Sequence, residues 1–172
     1  PEVRDAVNLL RVLDNPWDDE PLLAVLASPV CGFSPRELAS LRRHNLDSRV
    51  PLHRNFAEMI ETSPRVREAA RKFSRWRFLS ENMPLERFVR RMLRESGLYT
   101  RAGARPEGEL RRANLRLLAS LAAPAPDPQS LHDFIKRVDS AAQDSRQRSA
   151  SLGEQEDVVR VMTLHKSKGL EF

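Results

Sequence analysis

Proline divides this chain into short lengths, and that punctuation limits the possible folds more than any other feature. Asn15-Pro16, Ser28-Pro29, Ser34-Pro35, Ser63-Pro64 and Met83-Pro84 each close one segment or open the next, because a residue before proline avoids the helical region while proline itself suits the first helical turn. Between these breaks the apolar residues recur at steps of three and four, the helical period. Val3, Ala6, Val7, Leu10 and Leu13 form one such face over residues 2–13. Trp17-Asp18-Asp19-Glu20-Pro21 reads as an acidic helix start, with carboxylates favoured by the helix dipole. Leu22, Leu23, Val25 and Leu26 give the following helix an almost wholly apolar surface, suited to the centre of a core. Ser34, Pro35 and Glu37 spell a capping box for a helix to about Asn45, with Leu38 and Leu41 inward. A shorter helix covers residues 52–61, and Ser63-Pro64 opens a long one to about Glu81 along Val66, Ala69, Ala70, Phe73, Trp76 and Leu79.

Phe88, Val89, Met92 and Leu93 then face inward, and Gly97 ends that helix in a left-handed cap. Residues 99–108 read as a loop. Residues 109–122 read as a helix burying Leu110, Ala113, Leu117 and Leu118, with Asn114 as a polar tie between two helices. Pro124-Ala125-Pro126-Asp127-Pro128 is a stiff, extended break. Ser130 with Asp133 opens a last helix whose apolar pattern, Phe134, Ile135 and Val138, fades after Ala142. Residues 143–156 are polar and read as a mobile linker. The fold class is mainly α, a helical bundle.

One stretch departs from this pattern. Val158-Val159-Arg160-Val161-Met162 is β-branched and apolar, as a buried strand is. It breaks into Thr163-Leu164-His165-Lys166-Ser167-Lys168-Gly169-Leu170-Glu171-Phe172. There hydroxyl, imidazole and ammonium groups crowd a strand end, the place where open α/β sheets hold ligands. Gly169 allows another backbone or a phosphate to come close. Without a second strand to pair with, residues 158–164 are expected to lack their sheet, leaving 163–172 disordered or paired as an exposed edge. The chain reads as an excised piece of a larger protein.

A formal net charge of +5 makes an acidic partner such as nucleic acid reasonable. Between Arg65 and Arg116, fifteen Lys and Arg stand against six Glu, a surplus of nine. Two readings of that surplus stand side by side: a face for nucleic-acid backbone, or ordinary solvated helix surfaces. Trp76 keeps helical spacing with Phe73 and Leu79 and belongs to the core rather than to a stacking platform. His44, His53 and His132 have no partner at metal-ligand spacing and read as surface residues, so no metal site is expected. The single Cys31, beside Val30 and Gly32, excludes a disulfide framework and reads as a small buried residue. No stretch is long and apolar enough to span a membrane, and no signal peptide opens the chain, which fits a cytoplasmic location. Gly32-Phe33-Ser34 is a glycine turn delivering a helix N-terminus, able to hold a phosphate or simply to cap.

The run Val161–Phe172 resembles motif V of superfamily 1A DNA helicases, the UvrD/Rep/PcrA group, and its Lys166-Ser167 pair leans toward helicase–nuclease subunits of the AddA (RexA) and RecB kind. Residues 2–16 resemble the segment after motif IVa. Pro21-Leu22-Leu23-Ala24-Val25-Leu26-Ala27-Ser28-Pro29 with Gly32, and Gly108-Glu109-Leu110-Arg111-Arg112-Ala113-Asn114-Leu115, are similar to AddA patterns.

The resemblance implies a layout: residues 1–14 as a flank of the RecA-like 2A domain, 15–142 as the helical 2B insertion, 143–156 as a linker, and 157–172 as the motif V strand and loop of 2A. It implies that Thr163 and His165 line a single-strand track, and that Lys168, Gly169 and Glu171 face the nucleotide. Gly32, Phe33 and Ser34 fall where relatives hold duplex backbone through a Gly-Ile-Gly turn. Ser34 replaces the second glycine, so it can cap or donate to phosphate but restricts the backbone. Arg71, Arg75, Arg90 and Arg94 are the candidate duplex-contacting cations. The implied whole protein is an ATP- and Mg2+-dependent 3′–5′ DNA helicase, with an exonuclease and an AddB-like partner subunit, acting in double-strand-break repair. This stretch alone is expected to be inactive, with no bound cofactor. Two other classes remain open: a module that docks the partner subunit, and the 2B domain of a UvrD-like helicase without a nuclease.

Overall fold

A computed structural model describes residues 2–45, 47, 49–123 and 130–155 of the chain. They form helices α1 (Glu2–Asp14), α2 (Asp19–Ala27), α3 (Pro35–Arg42), α4 (Leu52–Glu58), α5 (Pro64–Asn82), α6 (Leu85–Glu95), α7 (Leu98–Gly103), α8 (Gly108–Leu121) and α9 (Leu131–Gln155). No strand occurs among the described residues. The strand expected over 158–164, its loop and the break at 124–128 lie outside them. The chain divides into two compact units, Pro1–Lys136 and Arg137–Phe172. Of the second, the described part is the continuation of α9 from Arg137 to Gln155.

In the first unit α1 is the central helix, packing on α2, α5, α7 and α8. It buries Ala6, Leu9, Leu10, Val12 and Leu13, a wider apolar arc than the single face its spacing predicts. The helix expected to be central, α2, buries Leu22, Val25 and Leu26 but leaves Leu23 exposed. Local signals set the helix ends. Ser34 accepts the Glu37 amide while Glu37 Oε2 accepts the Ser34 amide at 2.7 Å, so both halves of the capping box form. Ser63 caps α5, accepting the Val66 amide. Gly97 takes φ +75° where α6 ends. Ser130 Oγ accepts the Asp133 amide at 3.1 Å and opens α9.

Three expectations are corrected. Residues 98–103 are helical, because Leu98 and Ala102, one turn apart, both reach the core. On α8 the buried face is Leu115, Leu118 and Ala119, followed by Ala122, while Leu110 and Leu117 are exposed. Alanines at 119 and 122 permit close approach, so packing rather than leucine content selects the face. Lastly, α9 passes Ala142 and continues to Gln155, since Ala, Gln, Arg and Glu sustain a helix without an apolar face.

Long-range polar contacts fix how these helices meet. Asp19 on α2 accepts the Leu52 amide at 2.6 Å and the His53 amide at 2.9 Å, capping α4 from another helix. Burial would raise the Asp19 carboxyl, but those amides and the His53 ring hold it below its usual range. Arg77 on α5 donates to the carbonyls of Leu13 and Val12 at the end of α1, where a cation suits the helix dipole. Glu2 on α1 accepts from Arg111 at 2.7 Å and from Asn114 at 3.2 Å on α8, so Asn114 does tie two helices.

Candidate nucleic-acid interface

The Gly32-Phe33-Ser34 turn is held by its own chain. Gly32 sits at φ +65°; its amide and that of Cys31 donate to Ser28 O, and the Phe33 amide donates to Leu26 O. The Ser34 amide goes to Glu37. An anion arriving at Ser34 must therefore displace the Glu37 carboxylate. The Ser34 amide and hydroxyl hold that carboxyl below its usual pKa. The Phe33 ring is buried, with the Arg65 guanidinium 5.5 Å from its centroid. Arg65 Nη2 also donates to the carbonyls of Cys31 and Gly32 at 2.8 and 2.9 Å. Sequence reasoning missed Arg65 as the cation over this turn, since it lies on another helix.

The arginine surplus separates by what each side chain does. Arg65, Arg67, Arg77, Arg101 and Arg111 donate to backbone carbonyls at turns and helix ends. Lys72, Arg75, Arg90, Arg91 and Arg112 pair with Glu68, Glu95, Glu86, Glu95 and Glu109. Arg116 donates to Tyr99 Oη at 3.0 Å. Eleven of the fifteen cations thus have a partner. Among the described residues Arg71, Arg87, Arg94 and Arg105 have none, and all four are exposed.

The four arginines singled out from sequence do not form one patch. Arg90 and Arg94 line one cavity with Tyr99 and Arg116. Arg87, Arg91 and Arg94 line the adjoining concavity with Met83 and Glu95. Arg71 lies beside Arg67 in a separate concavity with Ile60 and Glu61, and Arg75 is tied to Glu95. The helix α6 therefore presents the densest row of cations, Arg87, Arg90, Arg91 and Arg94, opposite its buried Phe88, Val89, Met92 and Leu93.

Other candidates resolve plainly. Trp76 is a core residue, its indole N–H donating to Glu95 at 3.1 Å. Each of the three histidines has a carboxylate neighbour that spacing did not reveal: His53 with Asp19, His132 with Asp14, His44 with Glu58. No group of three potential metal ligands occurs among the described residues. Burial pushes the Cys31 thiol up to about 11, which suits a packing residue and not a nucleophile. No helix among the described residues is long and apolar enough to cross a membrane. Thr163, His165, Lys168, Gly169 and Glu171 lie outside the described residues.

No protein-family model matches the chain. Curated relatives do, over almost its whole length. A protein of Bacillus cytotoxicus, named as the A subunit of an ATP-dependent helicase/nuclease, is 38% identical across 99% of the chain. Proteins of the same name from Acetivibrio thermocellus and Clostridium botulinum are 37% and 34% identical, again across 99% of it. The chain spans only about 14–15% of the length of these relatives. It is thus homologous, nearly end to end, to one segment of the A subunits of ATP-dependent helicase/nucleases, the AddA relationship that its closing motif implied.

Proposed function

We propose that this chain is the helical accessory region of an ATP-dependent 3′–5′ DNA helicase of the AddA kind, where it contacts duplex DNA ahead of the motor and regulates unwinding by rotating as a body. The observation that carries this reading is the 38% identity, across 99% of the chain, to the A subunit of a helicase/nuclease. The cation row on α6, with Arg87 and Arg94 free of carboxylates, supports a backbone contact. Within the same reading Thr163 and His165 meet the single strand, and Lys168, Gly169 and Glu171 face ATP and its Mg2+. The nuclease and the AddB-like partner belong to the rest of the protein and its complex.

The test is binding of forked and blunt duplex DNA across a salt series. Reversing Arg71 and Arg94 to Glu removes two cations without breaking an internal pair, whereas reversing Arg75 and Arg90 also releases Glu95 and Glu86. Each lost phosphate contact lowers the slope of log affinity against log salt by about one. Flat binding curves at low salt for the unaltered chain refute the reading.

One observation favours a second reading, a module that docks a partner subunit. Leu110, Leu117 and Leu121 recur along the outer face of α8 and stay exposed, a stripe of the kind that marks contact with another protein. Under that reading the arginine reversals leave partner binding intact, and Leu117→Asp abolishes it.

A further inference from the structure

We infer that the cleft between α6, α7 and α8 is a receptor for one unpaired nucleotide, seating the base on an apolar floor and its phosphate between Arg94 and Arg116. This rests on the DNA-binding reading above and deepens it. Duplex contact needs only cations on a convex face, and this cleft offers more than that.

The cavity measures about 310 Å³, at the small end of the range for ligand pockets. Its floor is Leu93, Leu115 and Ala119, which meet where α6 packs on α8. Tyr99 of α7 forms a wall and is held in place from two sides. Arg116 Nη1 donates to its hydroxyl at 3.0 Å, and the Arg112 guanidinium lies 5.5 Å from its ring centroid. Arg112 is itself anchored to Glu109 at 3.1 Å. An aromatic wall whose orientation is fixed before binding loses little freedom when a planar group packs against it.

The rim is cationic. Arg90, Arg94 and Arg116 line the cavity and no carboxylate does. Glu86 neutralises Arg90 through two contacts of 2.9 and 2.7 Å. Glu109 approaches Arg116 only to 4.0 Å, and Arg94 has no partner among the described residues. The fitting ligand is therefore an anion with a flat apolar body. A phosphate has several oxygens to share between two guanidinium forks. Arg94 also lines the adjoining concavity with Arg87 and Arg91, so the cation row continues past the cleft, as a polyanionic strand requires and an isolated acidic side chain does not.

The experiment compares two probes of equal charge on the 172-residue chain: fluorescein-labelled dT20, and the same backbone with abasic sites throughout. The expected result is at least roughly fivefold tighter binding of dT20, the low end for stacking one base. That preference should fall severalfold in Arg94→Gln, which touches no internal partner, and vanish in Tyr99→Leu, with far-UV circular dichroism verifying the fold. Tyr99→Phe keeps the ring and should retain most of it. Equal affinity for the two probes overturns the inference while leaving backbone binding, and so the proposed function, in place. Loss of binding to both probes at low salt removes both. A base preference that survives Arg94→Gln and Tyr99→Leu places the receptor elsewhere and also overturns it, as does poly-glutamate binding in an Arg94-dependent way where dT20 does not bind.

Discussion

Replacing Glu95 tests both the packing of this bundle and the use of its arginines. Glu95 ends α6 and reaches back to α5. Its Oε2 accepts the Trp76 indole N–H at 3.1 Å, and its Oε1 accepts Arg91 Nε at 2.7 Å and Arg75 Nη2 at 3.3 Å. Burial would raise this carboxyl, but the Arg91 and Trp76 hydrogen bonds and the two cations outweigh it and hold its pKa below the usual range. In Glu95→Ala the indole N–H, on a side chain 3% exposed, loses its acceptor. An orphaned buried donor costs about 1–3 kcal/mol. The two ion pairs involve arginines 62% and 40% exposed and add only a few tenths each. The expected loss is about 2–3 kcal/mol, or roughly 5–10 °C in Tm for a domain of this size. Glu95→Gln keeps an acceptor for Trp76 and should lose about 1 kcal/mol. Urea unfolding followed by circular dichroism measures the loss. Tryptophan emission localises it, because Trp17 is 71% exposed and any red shift reports Trp76. A cycle with Trp76→Phe isolates the bond: coupling of about 1 kcal/mol is expected. Additive losses, or a Glu95→Ala cost below about 0.5 kcal/mol, would show that the contact contributes nothing to stability. Under the DNA reading both variants release Arg75 and Arg91, so affinity should rise and the salt slope steepen by about one for each new phosphate contact.

Three further substitutions address the joints of α8. Burial would raise Glu2, but its own backbone amide, Asn114, Arg111 and the neighbouring positive α-amino group together take its pKa from an ordinary 4.5 to about 2. A depressed carboxyl stabilises the fold above its unfolded pKa and loses that contribution as pH falls through the folded one. Wild type should therefore exceed Glu2→Gln by roughly 3 kcal/mol at pH 7, with the gap closing between about pH 4.5 and 2; a gap independent of pH refutes it. At the turn from α7 to α8, a Cβ on Gly108 would stand 2.3 Å from the Gly103 carbonyl oxygen, and backbone cannot yield cheaply. Gly108→Ala should cost about 2 kcal/mol by chemical denaturation. Gly103→Ala meets only the flexible end of Arg112 and should cost less than about 1 kcal/mol, while shifting Arg112 off Tyr99.

Features legible in the sequence were those whose cause is local. The Ser34–Glu37 box lies within four residues, and α6 alternates Arg87, Arg90, Arg91 and Arg94 with Phe88, Val89, Met92 and Leu93, so its two faces could not be exchanged. On α8 leucine occurs nearly all the way round, and the face was settled by where Ala119 and Ala122 let a neighbour approach. Residues 99–108 contain two glycines and read as loop, yet Leu98 and Ala102, one turn apart, were enough to hold the short helix Leu98–Gly103 against the core. The carboxylates were opaque for the opposite reason: Asp19 caps α4, Glu2 holds α8 and Glu95 holds Trp76 across gaps that no spacing rule spans.

The same distinction governs the arginines. Their surplus is visible in composition, but a guanidinium bound to a helix-end carbonyl or a carboxylate is already committed to the fold. Weighting all fifteen cations equally would spread the DNA contact over every helix from α5 to α8. Discounting those that donate to the carbonyls of Leu13, Cys31, Ile60, Pro29 and Pro106, those paired with Glu, and Arg116 on the Tyr99 hydroxyl leaves Arg71, Arg87, Arg94 and Arg105. Two of these lie on α6, where Arg94 joins the cleft beside Tyr99 to the concavity beside Met83. A nucleic-acid surface would therefore centre on the α6 face, with Arg94 shared by the proposed backbone contact and the proposed nucleotide receptor.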